Sequence, residues 1–209
     1  MNRKSGRKKM EGLDVENETF FRQPLLECAR AMLGCELVVN GVSGLIVETE
    51  AYSEFGDAAC HAFRRLSIRQ FIQQRGPGTL YVYLNYGMYW LINFLVKSES
   101  GNGFVLVRAL EPRRGVDVMQ ERRGRGKERG LVELCSGPGK LSQALGVRGE
   151  FNGVLCGEEI PEGKIELLKR QMVPEVVVDR RIGISCAQEF PWRFLWAGNA
   201  FVSRGVTSQ

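Results

Sequence analysis

Two glutamates, Glu48 and Glu50, are the first residues of this sequence whose types and spacing suggest chemistry. They lie in Leu45-Ile-Val-Glu-Thr-Glu-Ala-Tyr52, a segment typical of a strand because apolar and β-branched residues dominate it. Successive strand side chains point to opposite faces, so both carboxylates share one face. One of them can act as a general base with the other as its structural companion. The alternative left open by the segment is a pair of solvated acids on an edge strand.

Arg108 is the natural partner for this pair of carboxylates. In the strand Phe104-Val-Leu-Val-Arg-Ala-Leu110 it falls on the same face as apolar residues. An arginine in such a row is rarely unpaired. We therefore expect an ion pair with Glu48 or Glu50, either as a structural salt bridge or as part of a site.

An aromatic residue, Tyr86, occupies the predicted tip of a hairpin, in Asn85-Tyr-Gly-Met88. One explanation is a wedge inserted between base pairs, as in proteins that unstack a duplex from the minor groove. The other is a side chain folded back on its own sheet. His61, the single histidine of the chain, is equally compatible with a site and with an ordinary hydrogen-bonded position.

The elements that must position these residues follow from periodicity and turn residues. Asn40-Gly41 between two apolar runs is a strong hairpin signal. A basic run at 113–129 reads as a solvated, flexible loop. The predicted elements are a helix at 19–33, strands at 35–39 and 44–52, a long loop at 53–78 with a short helix at 67–74, strands at 79–84, 89–96 and 103–110, a helix at 140–145, and late strands at 165–168, 176–178 and 194–202.

Hairpins rather than long crossovers connect these strands, which predicts an antiparallel sheet. The 209 residues, 44% hydrophobic and 25% charged, fit one globular domain. We therefore predict an α+β fold: a single domain with a mainly antiparallel, open-barrel-like sheet, surrounding helices and a protruding β-hairpin. Residues 1–18 are predicted to be a basic, flexible arm, and residues 19–209 the domain.

Composition excludes several classes of protein. Six cysteines without a C-x-x-C pair and a single histidine argue against zinc, so no metal and no cofactor are expected. The uncharged stretch 76–96 has the length of a membrane span, but its tyrosines, asparagines and period of two indicate strands. No signal peptide is recognisable, and reduced thiols fit a cytoplasmic, nucleoid-associated protein in a bacterium or a nuclear one in a eukaryote. The net charge of +5 suits an anionic partner.

Four runs, in this order, resemble those of the alkyladenine (3-methyladenine) DNA glycosylase family. They are Ile46-Val-Glu-Thr-Glu-Ala-Tyr52, Pro77-Gly-Thr-Leu-Tyr-Val-Tyr83 with Tyr86-Gly-Met88, Val107-Arg-Ala-Leu-Glu-Pro112, and Leu134-Cys-Ser-Gly-Pro-Gly-Lys-Leu141. The similarity extends over residues 25–203. Between His61 and Pro77 the chain departs from the family, whose Gly-Arg-x-Thr-Pro-Arg-Asn run is replaced by Arg64-Arg-Leu-Ser-Ile-Arg-Gln70, so the resemblance does not rank the lesions.

The resemblance implies a role for each matching residue. Glu50 would deprotonate the water that attacks the anomeric carbon of a flipped nucleotide, and Arg108 would help to position that water. Tyr52, His61 and Tyr83 would form a slot for the extruded purine, and Asn93 would exclude the guanine amino group. Tyr86 would fill the gap in the duplex. Met88, Tyr89 and Lys140 would contact the DNA backbone.

The activity implied by the resemblance is that of a monofunctional base-excision repair glycosylase. It would act as a monomer on double-stranded DNA containing alkylated or deaminated purines and would leave an abasic site. No lyase activity is expected, because the lysines considered lie in polar contexts that keep them protonated. The alternative is a non-catalytic nucleic-acid-binding module like the C-terminal domain of formyltransferases, which would explain the charge and the aromatic tip.

Overall fold

Antiparallel strands form the centre of the molecule in a computed structural model that describes residues 15–124, 126 and 128–206. Asn40 and Gly41 both have positive φ angles, 53° and 84°, which is the conformation of a two-residue hairpin turn. The strands are β1 Glu36–Val39, β2 Val42–Ser53, β3 Leu80–Asn85, β4 Tyr89–Ser98, β5 Gly101–Arg114, β6 Glu159–Ile160, β7 Gly163–Leu168, β8 Val176–Asp179 and β9 Arg193–Trp196.

The sheet has the order β3-β4-β5-β2-β1-β7-β6, and β9 pairs with both β2 and β8. All of the strand pairs are antiparallel, and the sheet curves into a half-barrel. The predicted α+β fold with one domain and an open-barrel-like antiparallel sheet is confirmed. Strand β2 lies between β5 and β1, so it is central, and residues on it are remote from the sheet edges.

Six helices surround the sheet within the described residues. Buried side chains of α1 and α6, among them Ala29 and Leu141, join those of the central strands in the main core. The apolar periodicity of these helices explains why they cover the sheet. The helices are α1 Leu25–Ala31, α2 His61–Arg64, α3 Leu66–Gln74, α4 Val116–Gly124, α5 Leu131–Cys135 and α6 Pro138–Leu145.

The helix predicted at 19–33 is wrong in its extent. The chain forms a 3₁₀ helix at Glu18–Arg22, and α1 starts only at Leu25. The interruption is at Pro24, which adopts φ −50° and ψ 140°. Proline has no amide hydrogen and disfavours a helical conformation in the residue before it, so it separates the two elements.

The basic segment predicted as a flexible loop at 113–129 instead contains α4. Met119 of this helix is fully buried, and Arg123 Nε donates to the Leu134 carbonyl at 3.2 Å. These tertiary contacts stabilise the helix, although the polar and glycine-containing composition of the segment favours a loop. The loop predicted at 53–78 likewise contains α2 in addition to the expected short helix.

The predicted N-terminal arm, 1–18, lies mostly outside the described residues. Within its described part, Val15 forms an isolated β-bridge with Leu168, and the Glu16 amide donates to the Leu167 carbonyl at 2.7 Å. The arm as a whole stays a prediction. The late strand predicted at 194–202 is shorter than expected, since β9 ends at Trp196.

Candidate functional site

Strand β2 carries Glu48 and Glu50 into the interior of the protein. Both glutamates are fully buried, with 0% exposure, so the interpretation as solvated acids on an edge strand is wrong. The pairing of β2 with β5 is irregular here: Glu48 lies opposite Ala109, and Thr49 lies opposite Val107. Arg108 is therefore an extra residue on β5, placed between two regular partners.

Arg108 binds both carboxylates. Its Nε lies 3.0 Å from Glu48 Oε1, and its Nη1 lies 3.1 Å from Glu50 Oε2. Burial by itself lowers the pKa of this guanidinium, but the carboxylates of Glu50 and Glu48 outweigh burial and raise the pKa above its usual value. The predicted ion pair is present, and it includes both glutamates.

Glu48 accepts four hydrogen bonds from the protein. Its Oε1 accepts hydrogen bonds from Arg108, from Arg193 Nε at 2.8 Å and from Ser203 Oγ at 2.9 Å. Its Oε2 accepts from the Ser203 amide at 2.6 Å. These donors come from β5, β9 and the chain after β9, so Glu48 joins three parts of the fold.

Glu50 accepts hydrogen bonds from three donors, one fewer than Glu48. Its Oε2 accepts from Tyr52 Oη at 2.7 Å and from Arg108, and its Oε1 accepts from the Ile182 amide at 2.7 Å. A carboxylate has about four acceptor positions. Within the described part of the chain, one position on Oε1 has no donor. The carboxylate is fully buried, so a water would reach this position only if the groups that cover it moved.

A cavity of about 450 Å³ lies beside this carboxylate. The three groups that bind Glu50, from Tyr52, Arg108 and Ile182, all contribute to its wall. Glu50 is thus directly behind the wall. The volume is within the range of small-molecule pockets, roughly 300 to 1,000 Å³. The cavity brings together the predicted residues Tyr52, His61, Tyr83, Tyr86, Asn93 and Arg108.

Aromatic rings form one side of the cavity. The rings of His61 and Tyr83 have centroids 4.6 Å apart at an interplanar angle of 64°, and those of Tyr81 and Tyr83 are stacked at 5.3 Å. His61 Nδ1 is 2.8 Å from Tyr81 Oη. Burial and the charge of Arg65 lower the pKa of His61, which keeps the imidazole neutral at physiological pH. Burial and the nearby Glu50 raise the pKa of Tyr83 to about 12.

Sequence reasoning missed Tyr81 as a residue of the cavity. It is two positions before Tyr83 on β3, so the period of two was the available signal. Asn93, opposite Tyr81 on β4, is buried, and its Nδ2 donates to the Tyr81 carbonyl at 3.0 Å. This bond fixes the orientation of the Asn93 amide in the cavity wall.

The hairpin tip projects away from the sheet. Tyr86 is 80% exposed, so its side chain is not folded back on the hairpin. Its φ angle is 51°, and that of Gly87 is 66°. The left-handed conformation is unfavourable for a residue as large as tyrosine. The tip therefore presents an aromatic ring to solvent in a strained backbone conformation.

Met88 and Tyr89 line a second cavity, of about 400 Å³, together with Arg122 and Arg148. Tyr89 packs so closely on Gly139 of α6 that a Cβ at 139 would lie 2.8 Å from it. Lys140, on the same helix, is exposed, and its Nζ lies 3.3 Å from Ser136 Oγ. The hairpin is thus held against the start of α6.

The segment that departs from the expected family pattern forms α2 and α3. Arg69 of α3 donates to the Ala62 and Phe63 carbonyls, each at 2.7 Å. These bonds satisfy backbone acceptors near the end of α2. Arg69 therefore fixes the helix that carries His61.

Two kinds of feature are absent from the described residues. Across residues 15–124, 126 and 128–206, no group of three His, Cys, Asp or Glu side chains is placed to hold a metal ion. In the same part of the chain, none of the helices has the length and apolar character needed to cross a membrane.

Comparison with known proteins gives a consistent picture. A family model described as methylpurine-DNA glycosylase matches residues 19–200. A relative from Rhizobium meliloti (strain 1021) is 41% identical over 88% of this chain and 94% of its own length. One from Agrobacterium fabrum is 43% identical over 90% of this chain and 91% of its own. The name of both relatives, given provisionally, is 3-methyladenine DNA glycosylase.

Proposed function

Because the chain belongs to the methylpurine-DNA glycosylase family, we propose that it removes damaged purines from double-stranded DNA and leaves an abasic site. The coarse activity, a DNA glycosylase of this family, follows from membership. The reaction is hydrolysis of the N-glycosidic bond of a nucleotide that has swung out of the helix, since the base cannot be reached inside the stack. Alkylated purines such as 3-methyladenine and deaminated ones such as hypoxanthine are the proposed substrates.

The observation that carries the mechanism is the remaining acceptor position on Glu50 Oε1, behind the wall of the aromatic cavity. A water bound there gives its proton to the carboxylate as its oxygen bonds to C1′ of the sugar. The C1′–N bond breaks, and its electron pair leaves with the base. Positive charge develops on the sugar meanwhile, and the ionised carboxylate stabilises it. Arg108 holds Glu50 and helps to orient the water.

The cavity offers the contacts that a flipped purine needs. Tyr83 and His61 present ring faces and edges for stacking, and stacking of a base on an aromatic side chain is worth roughly 1 to 3 kcal/mol. Burial raises the pKa of Tyr52 well above its usual value, so its phenol stays protonated and donates to Glu50. Asn93, fixed by the Tyr81 carbonyl, crowds the position of a guanine amino group.

Contacts with the duplex come from the hairpin and α6. Tyr86 fills the gap left by the extruded nucleotide, and Met88, Tyr89 and Lys140 contact the DNA backbone. We propose that the protein acts as a monomer. The protein would work where chromosomal DNA lies, at the nucleoid in a bacterium.

The proposal includes the absence of lyase activity. None of the described residues that line the cavity is a lysine, so no amine is placed there to attack C1′ and form a Schiff base. The product strand should therefore remain intact until it is treated with alkali.

The deciding experiment uses a labelled duplex with one hypoxanthine, incubated with the protein and then treated with alkali. Wild type should release the base, and Glu50→Gln should bind the duplex but release nothing. The matched control is Glu36→Gln, which should behave as wild type. Glu36 is a partly buried carboxylate on β1 that pairs with Arg114 of β5. Binding without release by wild type, with each of the proposed lesions, would instead identify a non-catalytic binding module.

A further inference from the structure

We infer that Arg181, through its ion pair with Asp57, is a positioning residue that holds the Ile182 amide and the Tyr52 ring against Glu50. This inference rests on the proposed function, in which Glu50 activates water. Neither Arg181 nor Asp57 lines the cavity. Both act through groups that do.

Arg181 and Asp57 form a bidentate ion pair in the interior of the protein. Arg181 Nη1 lies 2.6 Å from Asp57 Oδ2, and Nη2 lies 2.9 Å from Oδ1. Both side chains have 0% exposure. The Asp57 oxygens also accept from the amides of Ser53 and Ala59, at 3.1 and 3.0 Å. Asp57 therefore shapes the turn that connects the end of β2 with α2, the helix carrying His61.

The same guanidinium also binds two backbone carbonyls, one on β2 and one in the segment that follows Arg181. Nη1 donates to the carbonyl of Ala51, the residue between Glu50 and Tyr52, at 3.0 Å. Nη2 donates to the Ala187 carbonyl at 3.0 Å. Arg181 is followed in the chain by Ile182, whose amide donates to Glu50 Oε1 at 2.7 Å. Arg181 thus fixes the end of β2 and the segment 181–187 relative to each other.

A third contact reaches Tyr52. The Arg181 guanidinium carbon lies 4.7 Å from the centre of the Tyr52 ring and 5.2 Å from that of Trp192. Cations are attracted to aromatic faces at such distances. Because Tyr52 Oη donates to Glu50, the orientation of this ring determines where the phenol proton points. Two of the three donors to Glu50 therefore depend on Arg181.

Stability alone does not account for this arrangement. A buried ion pair contributes little compared with apolar residues of similar volume. In addition, Arg181 Nε is buried without a hydrogen-bond partner in the described part of the chain, which is unfavourable for folding. The contacts that the pair does make converge on one carboxylate. Removal of the pair should therefore affect the chemical step more than it affects binding of the duplex.

The test is single-turnover release of hypoxanthine at saturating protein, which gives a maximal rate and a half-saturating concentration. Asp57→Asn should lower the maximal rate by about 100-fold, the effect of a small misplacement of catalytic groups. An asparagine accepts hydrogen bonds on one of its two terminal atoms only, so some of the four donors lose their acceptor. Glu36→Gln is the control: it also neutralises a carboxylate paired with an arginine, Arg114, and it should leave the maximal rate unchanged.

The readout specific to positioning is affinity for a duplex with an abasic analogue at the lesion. This probe has no base to enter the cavity, so its affinity reports the contacts to the duplex alone. For Asp57→Asn it should equal that of wild type. Arg181→Lys, which keeps the charge near Tyr52 and one bond to Asp57, should recover part of the rate lost in Arg181→Met.

The double variant Asp57→Asn with Arg181→Met leaves no unpaired charge and keeps the test decisive if a single variant fails to fold. An unchanged maximal rate in folded Asp57→Asn, Arg181→Met or the double variant would overturn the inference. So would equal losses of rate and of affinity for the abasic duplex, which indicate general damage to the fold. Failure of the proposed function is a separate result, since wild type itself would then release no base.

Discussion

At the scale of single residues, the two glutamates of β2 differ in their partners rather than in their burial. The alternation of β2 was sufficient to predict that both share a face and that Arg108 pairs with them. Which donors bind each glutamate was beyond the sequence, because several of them come from distant parts of the chain. Ser203 and Arg193 bind Glu48, and the Ile182 amide binds Glu50. A backbone amide has no sequence signature at all.

This difference in partners, together with the role proposed for Glu50, predicts different effects for the same substitution. Glu48→Gln replaces one acceptor oxygen with a donor while Arg193, only 1% exposed, stays in place. Breaking a buried ion pair in this way should lower the free energy of unfolding by about 3 kcal/mol, as measured by urea denaturation. Excision per folded molecule should nevertheless exceed that of Glu50→Gln. A fully stable Glu48→Gln without excision would reverse the two roles.

His61 gives a prediction for the dependence of stability on pH. Burial and Arg65 lower its pKa from the ordinary 6.5, so the unfolded chain takes up a proton more readily than the folded protein. The free energy of unfolding should therefore fall as the pH drops through 6.5 towards the lower pKa of the folded state.

The measurement for His61 is urea unfolding between about pH 7.5 and 5.5, the window in which histidine titrates. His61→Gln has no such group, and the chain contains no other histidine. The stability difference between wild type and variant should shift in favour of the variant at the acidic end. A difference that is constant across the window would show that the pKa of His61 is the same in both states.

At the scale of elements, local sequence predicted the hairpins well and the helices less well. Asn40-Gly41 marks a turn through its own conformational preferences, so the β1–β2 hairpin was predictable. Helix α4 was not, because its stability comes from burial of Met119 and from the bond of Arg123 to the Leu134 carbonyl. The break at Pro24 was visible in the sequence, but the apolar pattern on either side of it suggested one continuous helix.

The β3–β4 hairpin carries a strained residue at its tip, which leads to a prediction about stability and binding together. Tyr86→Gly should be more stable than Tyr86→Ala by roughly 0.5 to 1 kcal/mol, because relief of the left-handed conformation outweighs the entropy that glycine adds to the unfolded chain. Both variants lack the ring, so both should bind the lesion duplex more weakly than wild type. Urea unfolding and fluorescence anisotropy measure the two effects.

The Tyr86 comparison separates backbone strain from the function of the ring. If the glycine variant were the less stable one, the tip would not be strained. If both variants kept the affinity of wild type for the lesion duplex, the aromatic ring would have no part in binding. Tyr86→Phe, which keeps the ring and the strain, is the control for the hydroxyl group.

At the scale of the whole molecule, the hairpin stands between two cavities. Tyr83 and Tyr86 line the aromatic cavity beside Glu50, whereas Met88 and Tyr89 line the second one. A duplex engaged by the tip would therefore meet both. The sequence could not predict the second cavity, because its wall combines the hairpin with Arg122 of α4 and residues of and after α6, which are far apart in the chain.

The net charge of +5 makes the duplex affinity dependent on salt, and Arg148 offers a local test of that dependence. This arginine lines the second cavity and is exposed, and its guanidinium makes no hydrogen bond or ion pair within the described residues. Arg148→Ala should leave the fold intact. If Arg148 neutralises one phosphate, the variant should bind lesion and undamaged duplexes more weakly, and the slope of log affinity against log salt should decrease by about 0.9.

Lys164→Ala is the matched control for Arg148→Ala, because Lys164 is paired with Glu166 on β7, several strands away from the hairpin in the order of the sheet. Removing that cation changes the net charge by the same amount. An effect on the slope that is equal in the two variants would mean that only the overall charge attracts DNA. A decrease confined to Arg148→Ala would place a phosphate at the second cavity and would add Arg148 to the proposed DNA contacts of Met88, Tyr89 and Lys140.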